Sequence, residues 1–215
     1  MSATYHPSDD FLVAYGAGSL DEASALLVAT HLALCPRCRM EVGRIEALGG
    51  AMIENLEPAH LGADALASVL SRLDQVPIAP RLRRPAAEPS GLPAPLRDYL
   101  PASMDALPWK RLAAGIEQAF LLQARGMRAR LLRIGAGIVV PAHGHGGMEM
   151  TMVLQGGFTD FGMDYARGDV AMADQKVVHS PAADGSETCL CLAVTDAPLK
   201  LTGLVGLLVN PFLDL

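Results

Sequence analysis

Residues 137–156 read GIVVPAHGHGGMEMTMVLQG, a segment in which metal-ligand side chains recur at strand spacing. Residues two apart on a β-strand point the same way, so His143 and His145 face one side, and Glu149 shares their parity. His179 follows at a distance along the chain that suits a neighbouring strand. Converging imidazoles and a carboxylate bind a divalent metal, and Zn, Mn, Fe and Ni all accept such ligands. We therefore predict a metal centre of His143, His145, Glu149 and His179, with zinc as the first choice of metal.

The chain around this segment is typical of an all-β domain. From Trp109 onward, short apolar runs such as 130–134, 151–154 and 189–194 are separated by Gly, Pro and Asp. Many short strands of this kind favour a sandwich or a barrel. The segment resembles the first motif of the cupin superfamily. The fixed positions of that motif match Gly137, His143, His145, Glu149 and Gly156.

The second cupin motif is only partly present. Gly168 and His179 stand at the expected spacing, whereas Asp174 and Lys176 occupy positions where the family usually has Pro and Gly. The resemblance implies a jelly-roll barrel with a metal in its interior. Cupins include dioxygenases and isomerases as well as sensors and inert binding barrels, so the fold alone does not indicate a reaction.

A second group of metal-ligand residues lies near the N-terminus, where residues 31–38 read HLALCPRC. His31 and Cys35 share one helix face, and Cys38 follows across a Cys-x-x-Cys turn. Two thiolates and an imidazole then converge as tetrahedral Zn²⁺ requires. We predict His6 as the fourth ligand, with His60 as the second choice. A redox Cys-x-x-Cys or two buried thiols are the alternatives, but a redox motif would follow a strand and these flanks are helical.

Residues 8–75 carry helical patterns. We predict a first helix that begins after Ser8, a second at about 20–34 opened by a capping box at Ser19, a third at about 36–55 and a fourth at about 62–75. These helices, with a histidine upstream of His-x₃-Cys-x₂-Cys, resemble the zinc-containing anti-sigma domain of bacterial regulators. The resemblance implies that residues 1–76 wrap a sigma factor and cover the surfaces that it needs for RNA polymerase.

The composition changes between the two halves. Residues 77–108 hold eight of the fifteen prolines, which predicts an extended, semi-rigid linker with one helical turn at about 96–100. We therefore predict a helical zinc-binding domain at 1–76, a proline-rich linker at 77–108 and a cupin domain at 109–215. The predicted fold class is multi-domain, a zinc-bound helical bundle followed by an all-β cupin barrel.

The distribution of charge and hydropathy excludes several functions. Residues 1–76 hold four arginines against ten Asp and Glu, which accounts for the net charge of −6. We expect no direct contact with nucleic acid, whose phosphates attract Lys and Arg, and we favour a basic protein partner. No apolar run is long enough for a membrane span, and residues 199–209, which come nearest, favour a buried strand. Residues 1–10 lack the features of a secretory signal, so we expect a cytoplasmic protein.

The two halves together resemble the ChrR family of anti-sigma factors over nearly the whole chain. The segment PAPLRDYL at 93–100 and the late Cys189-x-Cys191 pair agree with this resemblance. It implies a non-enzymatic repressor whose N-terminal domain binds an extracytoplasmic-function sigma factor of the RpoE type. It also implies that the cupin domain mediates release under singlet oxygen and related oxidants. We expect the exposed partner-binding helices to allow self-association when the partner is absent.

Alternatives stay open at this stage. Cys189 and Cys191 share one strand face and are either a redox pair or small core residues. A metal-dependent cupin dioxygenase with an accessory zinc module is the main alternative function, although such chemistry does not need the N-terminal module. A zinc-finger transcription factor with a ligand-sensing barrel is the weaker alternative, since no helix is rich in base-reading Arg, Asn or Gln.

Overall fold

The computed structural model describes residues 3–73, 91–101, 103–197 and 199–201. The N-terminal part is helical, as predicted, and Pro36 opens the third helix. None of the helices in the described ranges combines the length and the hydropathy of a membrane span. The helices are α1 (Asp9–Gly16), α2 (Glu22–Leu34), α3 (Pro36–Glu54), α4 (Ala65–Leu73) and α5 (Ala94–Arg97).

The start of α2 corrects the predicted capping box. Asp21 is the N-cap residue, and its side chain accepts the backbone N–H of Ser24 at 2.9 Å. Ser19 instead donates its hydroxyl to the carbonyl oxygen of Ala14, near the end of α1. The helix therefore begins at Glu22, later than predicted, because the Asp21 carboxylate satisfies a free N–H group of the first turn.

The described part of the segment that leads into the β domain packs against the main hydrophobic core. Residues 74–90 and 102 lie outside the described residues, so the end of the fourth predicted helix and most of the predicted linker stay predictions. Helix α5 lies close to the predicted turn. Leu92 and Leu96 of this segment are buried in the same core as Leu27 of α2.

Short antiparallel β-strands make up most of the described chain from residue 110 onward. They are β1 (Lys110–Ala113), β2 (Ile116–Ala124), β3 (Met127–Ile134), β4 (His143–His145), β5 (Glu149–Gln155), β6 (Gly157–Asp160), β7 (Met163–Ala166), β8 (Val170–Ala173), β9 (Val178–His179), β10 (Ala182–Ala183), β11 (Cys189–Thr195) and β12 (Leu199–Leu201). The sheets have the strand orders β1-β2-β3-β11-β5-β8, β10-β6-β7 and β12-β4-β9. Together they form the predicted cupin-type jelly roll, but across the described residues no strand pairing closes the sheets into a continuous barrel.

The large sheet separates two hydrophobic cores. Along β11, Leu190, Leu192 and Val194 belong to one core, whereas Cys189 and Cys191 belong to the other. This division follows from the two-residue period of a strand. The face with the cysteines looks into the interior between the sheets.

Helix α2 packs against the opposite face of the large sheet. Its Ala23, Leu26 and Leu27 share a core with Leu131 of β3 and Leu192 of β11. Complete burial of a leucine such as Leu27 contributes about 1.5–3 kcal/mol of stability. The helical and β parts of the chain therefore share one hydrophobic core.

The helices hold only a small core of their own. Its buried members are Leu12, Val28, Leu32, Cys35, Cys38 and Val42. Helix α1 approaches α3 so closely that a Cβ at Gly16 would lie 2.8 Å from Cγ2 of Ile45. A module with so few buried side chains gains little stability from packing alone. The core that the helices share with the β part therefore matters for the stability of this module.

Candidate metal centres

Four predicted ligands meet where α2 ends and α3 begins. His31 lies in the last turn of α2, Cys35 separates the two helices, and Cys38 lies in the first turn of α3. The segment before α1 adds His6, and the four ligand atoms lie within 4.8 Å of one another. His60, the alternative fourth ligand, is exposed and lies outside this cluster.

The spacing of these ligand atoms matches a tetrahedral site. His6 Nδ1 lies 3.4 Å from His31 Nε2 and 3.5 Å from the sulfurs of Cys35 and Cys38. His31 Nε2 lies 3.3 Å from Cys38 Sγ. Zinc–ligand bonds of about 2.0–2.3 Å put the corners of a tetrahedron ~3.3–3.8 Å apart. Because two sulfurs and two ring nitrogens are also ligands that structural zinc prefers, these residues fit a zinc ion.

The protonation of this cluster ties metal binding to pH. His31 Nδ1 donates to the carbonyl oxygen of Gly168 at 2.8 Å, so its Nε2 lone pair points at the other ligands. Burial is the largest cause that lowers the pKa of His31 and of His6. Burial, followed by the contact with Cys35, raises the pKa of Cys38 to about 12. A cation must therefore displace thiol protons to bind, and its affinity falls as the pH falls.

The second group of predicted ligands assembles between the sheets. Strand β4 carries His143 and His145, β5 begins at Glu149, and His179 of β9 pairs with His143. His179 Nε2 lies 3.0 Å from His143 Nε2 and 2.9 Å from His145 Nε2. Glu149 Oε2 lies 3.6 Å from His145 Nδ1. One ligand atom from each of the four residues falls within 4.8 Å of the others.

The loop before His179 compensates for the incomplete second cupin motif. The Asp174 side chain accepts the backbone N–H of Lys176 at 2.8 Å, and the Asp174 carbonyl oxygen accepts that of Val177 at 3.1 Å. An Asp side chain that bonds the backbone two residues on makes a turn of its own. This turn takes the place of the usual Pro and Gly and delivers His179 opposite His143.

Asp160 belongs to this centre, although the sequence patterns missed it. Its Oδ2 accepts Nδ1–H of His179 at 2.6 Å, and the carbonyl oxygen of Pro141 accepts Nδ1–H of His143 at 2.8 Å. Both rings therefore direct Nε2 inward, toward the position that a cation would occupy. Proteins usually orient a metal-binding histidine with such a carboxylate or carbonyl. The only signal in the sequence is an acidic residue at the end of the short strand β6.

The spacing of its nitrogens distinguishes this centre from the N-terminal one. Nitrogens 2.9–3.0 Å apart correspond to ligand–metal–ligand angles of about 90° for bonds of ~2.1 Å, as in five- and six-coordinate sites. Burial is the largest cause that lowers the pKa of His143 and of His145, so both rings are neutral at pH 7. These residues would fit a divalent cation.

A mainly apolar cavity of about 240 Å³ adjoins the second centre. His143, Glu149 and His179 line it beside Asp160, and the remaining wall is mostly aliphatic and aromatic. Phe161, which is exposed, is among the lining residues. A small molecule therefore has room beside the position of the cation.

Cys189 and Cys191 lie side by side in the interior core. Their sulfur atoms are 3.5 Å apart, and both side chains are buried. The hydrogen bond between the two thiols, together with burial, raises the pKa of Cys191 well above its usual value. A thiol that stays protonated reacts slowly with oxidants, because the thiolate is the reactive form. A redox role of the pair therefore stays one of the two alternatives, beside that of small core residues.

Helix α4 presents an exposed apolar surface. It has no buried residue, and Leu66, Val69, Leu70 and Leu73, here called the α4 stripe, are all exposed. Further exposed apolar residues precede it in the second half of α3 and the following loop, namely Leu48, Met52, Ile53, Leu56 and Leu61. Large exposed apolar surfaces of this kind mark sites of interaction with a partner.

Comparisons with known proteins agree with both halves of this description. The family model described as the ChrR cupin-like domain matches residues 100–198. The chain is 43% identical over 216 residues to the anti-sigma-E factor ChrR of Cereibacter sphaeroides, with 99% of each protein covered. In the crystal structure of Rhodobacter sphaeroides SigE in complex with the anti-sigma ChrR, one chain matches with a TM-score of 0.78 at 41% identity. That match covers 89% of this chain and 98% of the other.

Proposed function

Because this chain belongs to the ChrR family of anti-sigma factors, we propose that it binds an extracytoplasmic-function sigma factor of the RpoE type and inhibits it. The similar protein from Cereibacter sphaeroides is an anti-sigma-E factor, and the similar crystal structure is a complex with SigE. The observation on this chain that carries the proposal is the α4 stripe, an apolar helix face with no cover among the described residues.

The stripe has the geometry of a helix that docks into a groove. Leu66, Val69, Leu70 and Leu73 follow the i, i+3, i+4, i+7 pattern of the anchors in such complexes. The excess of acidic residues in the N-terminal part suits a basic rim around that groove. A sigma factor needs basic surfaces for DNA, so the same charge that repels nucleic acid attracts this partner.

Zinc in the N-terminal centre is part of the proposal. A zinc ion bound by His6, His31, Cys35 and Cys38 would fix α2 and α3 to each other and to the segment before α1. Because the helical core is small, these ligand bonds would contribute directly to the folding of the partner-binding module. In the cupin centre we propose a divalent cation, with zinc in the first place, because zinc also accepts five-coordinate sites.

We assign the sensing of singlet oxygen and related oxidants to the cupin domain. The cavity gives a small oxidant access to His143 and His179, and imidazoles and thioethers are among the side chains that such oxidants attack. Met163 and Met172 also line the cavity. Damage to a ligand would loosen the cation and the strands that it holds. The whole process would take place in the cytoplasm, where the sigma factor meets RNA polymerase.

A regulatory role explains more of the molecule than the dioxygenase alternative does. The cupin ligands and the cavity suit either role. The α4 stripe and the N-terminal zinc ligands have no part in dioxygenase chemistry, and the family is one of anti-sigma factors. We therefore propose a repressor without enzymatic activity.

Binding to a purified sigma factor of the RpoE type tests the proposal. Leu70→Asp places a charge in the middle of the α4 stripe, and a hot-spot residue contributes at least ~2 kcal/mol, so we expect the dissociation constant to rise about thirtyfold or more. Ser68→Asp is the matched control, because it adds the same charge to the exposed opposite face of α4. Equal binding by both variants would contradict the proposed surface, and no binding by the wild-type protein would contradict the proposed function.

A further inference from the structure

The loop between β7 and β8 is bonded to the segment that delivers His6. Asp169, which is buried, accepts the backbone N–H groups of Thr4 at 2.5 Å and Tyr5 at 2.9 Å through Oδ1. Its Oδ2 accepts the N–H of Ala166 at 2.9 Å. His6 follows Tyr5 directly, so one buried carboxylate of the β domain fixes the chain beside a ligand of the N-terminal centre.

The same loop holds a second ligand of that centre. The carbonyl oxygen of Gly168 accepts Nδ1–H of His31 at 2.8 Å, in a buried position. Gly168 has a φ of 101°, which glycine adopts without strain. A Cβ at this position would lie 3.5 Å from Cβ of Ala3 and 3.8 Å from Cβ of Leu34. The loop backbone therefore packs directly against the N-terminal segment and α2.

We propose that the β7–β8 loop, residues 167–169, positions the ligands of the N-terminal zinc centre, so that the cupin domain controls how firmly the helical domain holds its metal. This inference rests on the zinc site of the proposed function. Gly168 and Asp169 are positioning residues, because each acts on the metal position through a ligand or through the chain beside one. In other metal sites, carbonyl and carboxylate groups that hydrogen-bond a metal-binding histidine have this positioning role.

The hairpin that carries this loop also reaches the cupin centre. Strand β6 ends in Asp160, which orients His179 at 2.6 Å. The ring of Tyr165 on β7 stacks on Phe158 with centroids 4.8 Å apart and contacts Tyr5 at 4.6 Å. The β6–β7 hairpin therefore touches the surroundings of both centres. A shift of this hairpin when the cupin metal is lost would move the loop and Tyr5 together.

Asp169→Asn is a nearly isosteric change that weakens this support, because its single carbonyl oxygen cannot accept both from Thr4 and Tyr5 and from Ala166. One carboxylate oxygen becomes an NH₂ group, which meets a backbone N–H donor instead of accepting from it. Loss of a group behind a metal ligand typically weakens metal binding by about 10- to 100-fold. We expect the metal of the N-terminal centre to leave that much faster in the variant.

Cobalt in place of zinc makes the N-terminal centre visible on its own. The thiolate-to-cobalt charge-transfer band requires cysteine ligands, which the N-terminal cluster has and the cupin ligands lack. Full-length protein loaded with Co²⁺ is mixed with excess chelator, and the decay of this band gives the release rate. Asp164→Asn is the matched control, since Asp164 lies on β7 in an exposed position and its carboxylate accepts from Thr159. Trp109 fluorescence shows whether each variant is folded.

A second variant covers the case in which Asp169→Asn does not fold. Gly168→Ala keeps the carboxylate but forces a β-carbon into a positive φ, which turns the carbonyl oxygen away from His31. We expect faster decay of the charge-transfer band and a shift of the cobalt d–d bands, because these bands report the arrangement of the ligands. A variant that only weakened packing would leave the d–d bands unchanged.

The coupling to the cupin centre needs its own variant. His143→Ala removes a cupin ligand and leaves the loop sequence intact, and we expect it to speed metal release from the N-terminal centre several-fold. Equal release rates for Asp169→Asn and Asp164→Asn, in folded proteins, would overturn the positioning role. Unchanged release in His143→Ala would overturn the coupling. A wild-type protein without the charge-transfer band would overturn the zinc site itself, so failure of that assumption is distinguishable from failure of this inference.

Discussion

Replacing Leu27 with alanine should destabilise the helical and β parts of the molecule together. The side chain is fully buried in the core that α2 shares with the large sheet. A change from leucine to alanine at such a position costs about 2–5 kcal/mol, and the cost is highest where the surroundings cannot close the cavity. A sheet paired on both sides of β11 is such a surrounding. We expect a loss of about 3 kcal/mol in the free energy of unfolding.

Urea unfolding of the full-length, cobalt-loaded protein measures this loss with two probes. Trp109 is the only tryptophan and packs against the shared core, so its fluorescence reports the β domain. The thiolate-to-cobalt band reports the helical module. With an m value of ~2–3 kcal/mol per molar urea, both midpoints should fall by about 1–1.5 M. Leu48→Ala, at an exposed position of α3, is the control and should change the free energy of unfolding by less than ~0.5 kcal/mol.

Divergence of the two probes would refute the reasoning. If Leu27→Ala lowered the midpoint of the cobalt band and left that of Trp109 unchanged, the helical module would unfold separately. The burial of α2 against the sheet would then contribute nothing to cooperativity between the two parts.

Three further predictions concern the cupin interior. Asp160→Asn should weaken metal binding at the cupin centre by about 10- to 100-fold, because His179 loses its carboxylate partner; equilibrium dialysis with metal analysis checks this, and an unchanged affinity would exclude the assigned role. The metal-free protein should lose stability on acidification, because His143 and His145 have a pKa below the ordinary 6.5. The unfolded chain then takes up protons near pH 6.5 before the folded one does, so the melting temperature should begin to fall there, and a flat profile down to pH 5 would contradict the burial. Replacing Cys189 and Cys191 with alanine should leave oxidant-induced release of the sigma factor intact, because both thiols are buried; lost release with normal binding would instead assign them a redox role.

Short spacings in the sequence predicted most members of the two clusters. His31, Cys35 and Cys38 lie within one helical junction, and His143 and His145 lie on one short strand, so local geometry alone brings each set together. His6 was predicted from the need for a fourth ligand. In the structure it lies in the cluster, and Asp169 accepts N–H groups of the backbone just before it.

Contacts between residues far apart in the chain could not be predicted from the sequence. The hydrogen bond from His31 to Gly168 joins residues separated by 137 positions, and nothing in the local sequence of either residue indicates the other. The hydrogen bond between His179 and Asp160 likewise has no local sequence pattern that indicates it. The apolar residues of α2 recur at helical spacing, but such periodicity does not say which surface covers a helix face. The sequence patterns predicted a helical domain and a separate β domain. They did not predict the hydrophobic core that the two parts share.

Run-off transcription by RNA polymerase with its RpoE-type sigma factor tests the central claim most directly. Wild-type protein, added before the polymerase core, should abolish the transcript at about one equivalent per sigma factor, and Cys35→Ser should leave the transcript in place because the helical module lacks a zinc ligand. Full transcription in the presence of excess wild-type protein would contradict the account of this chain as an anti-sigma factor.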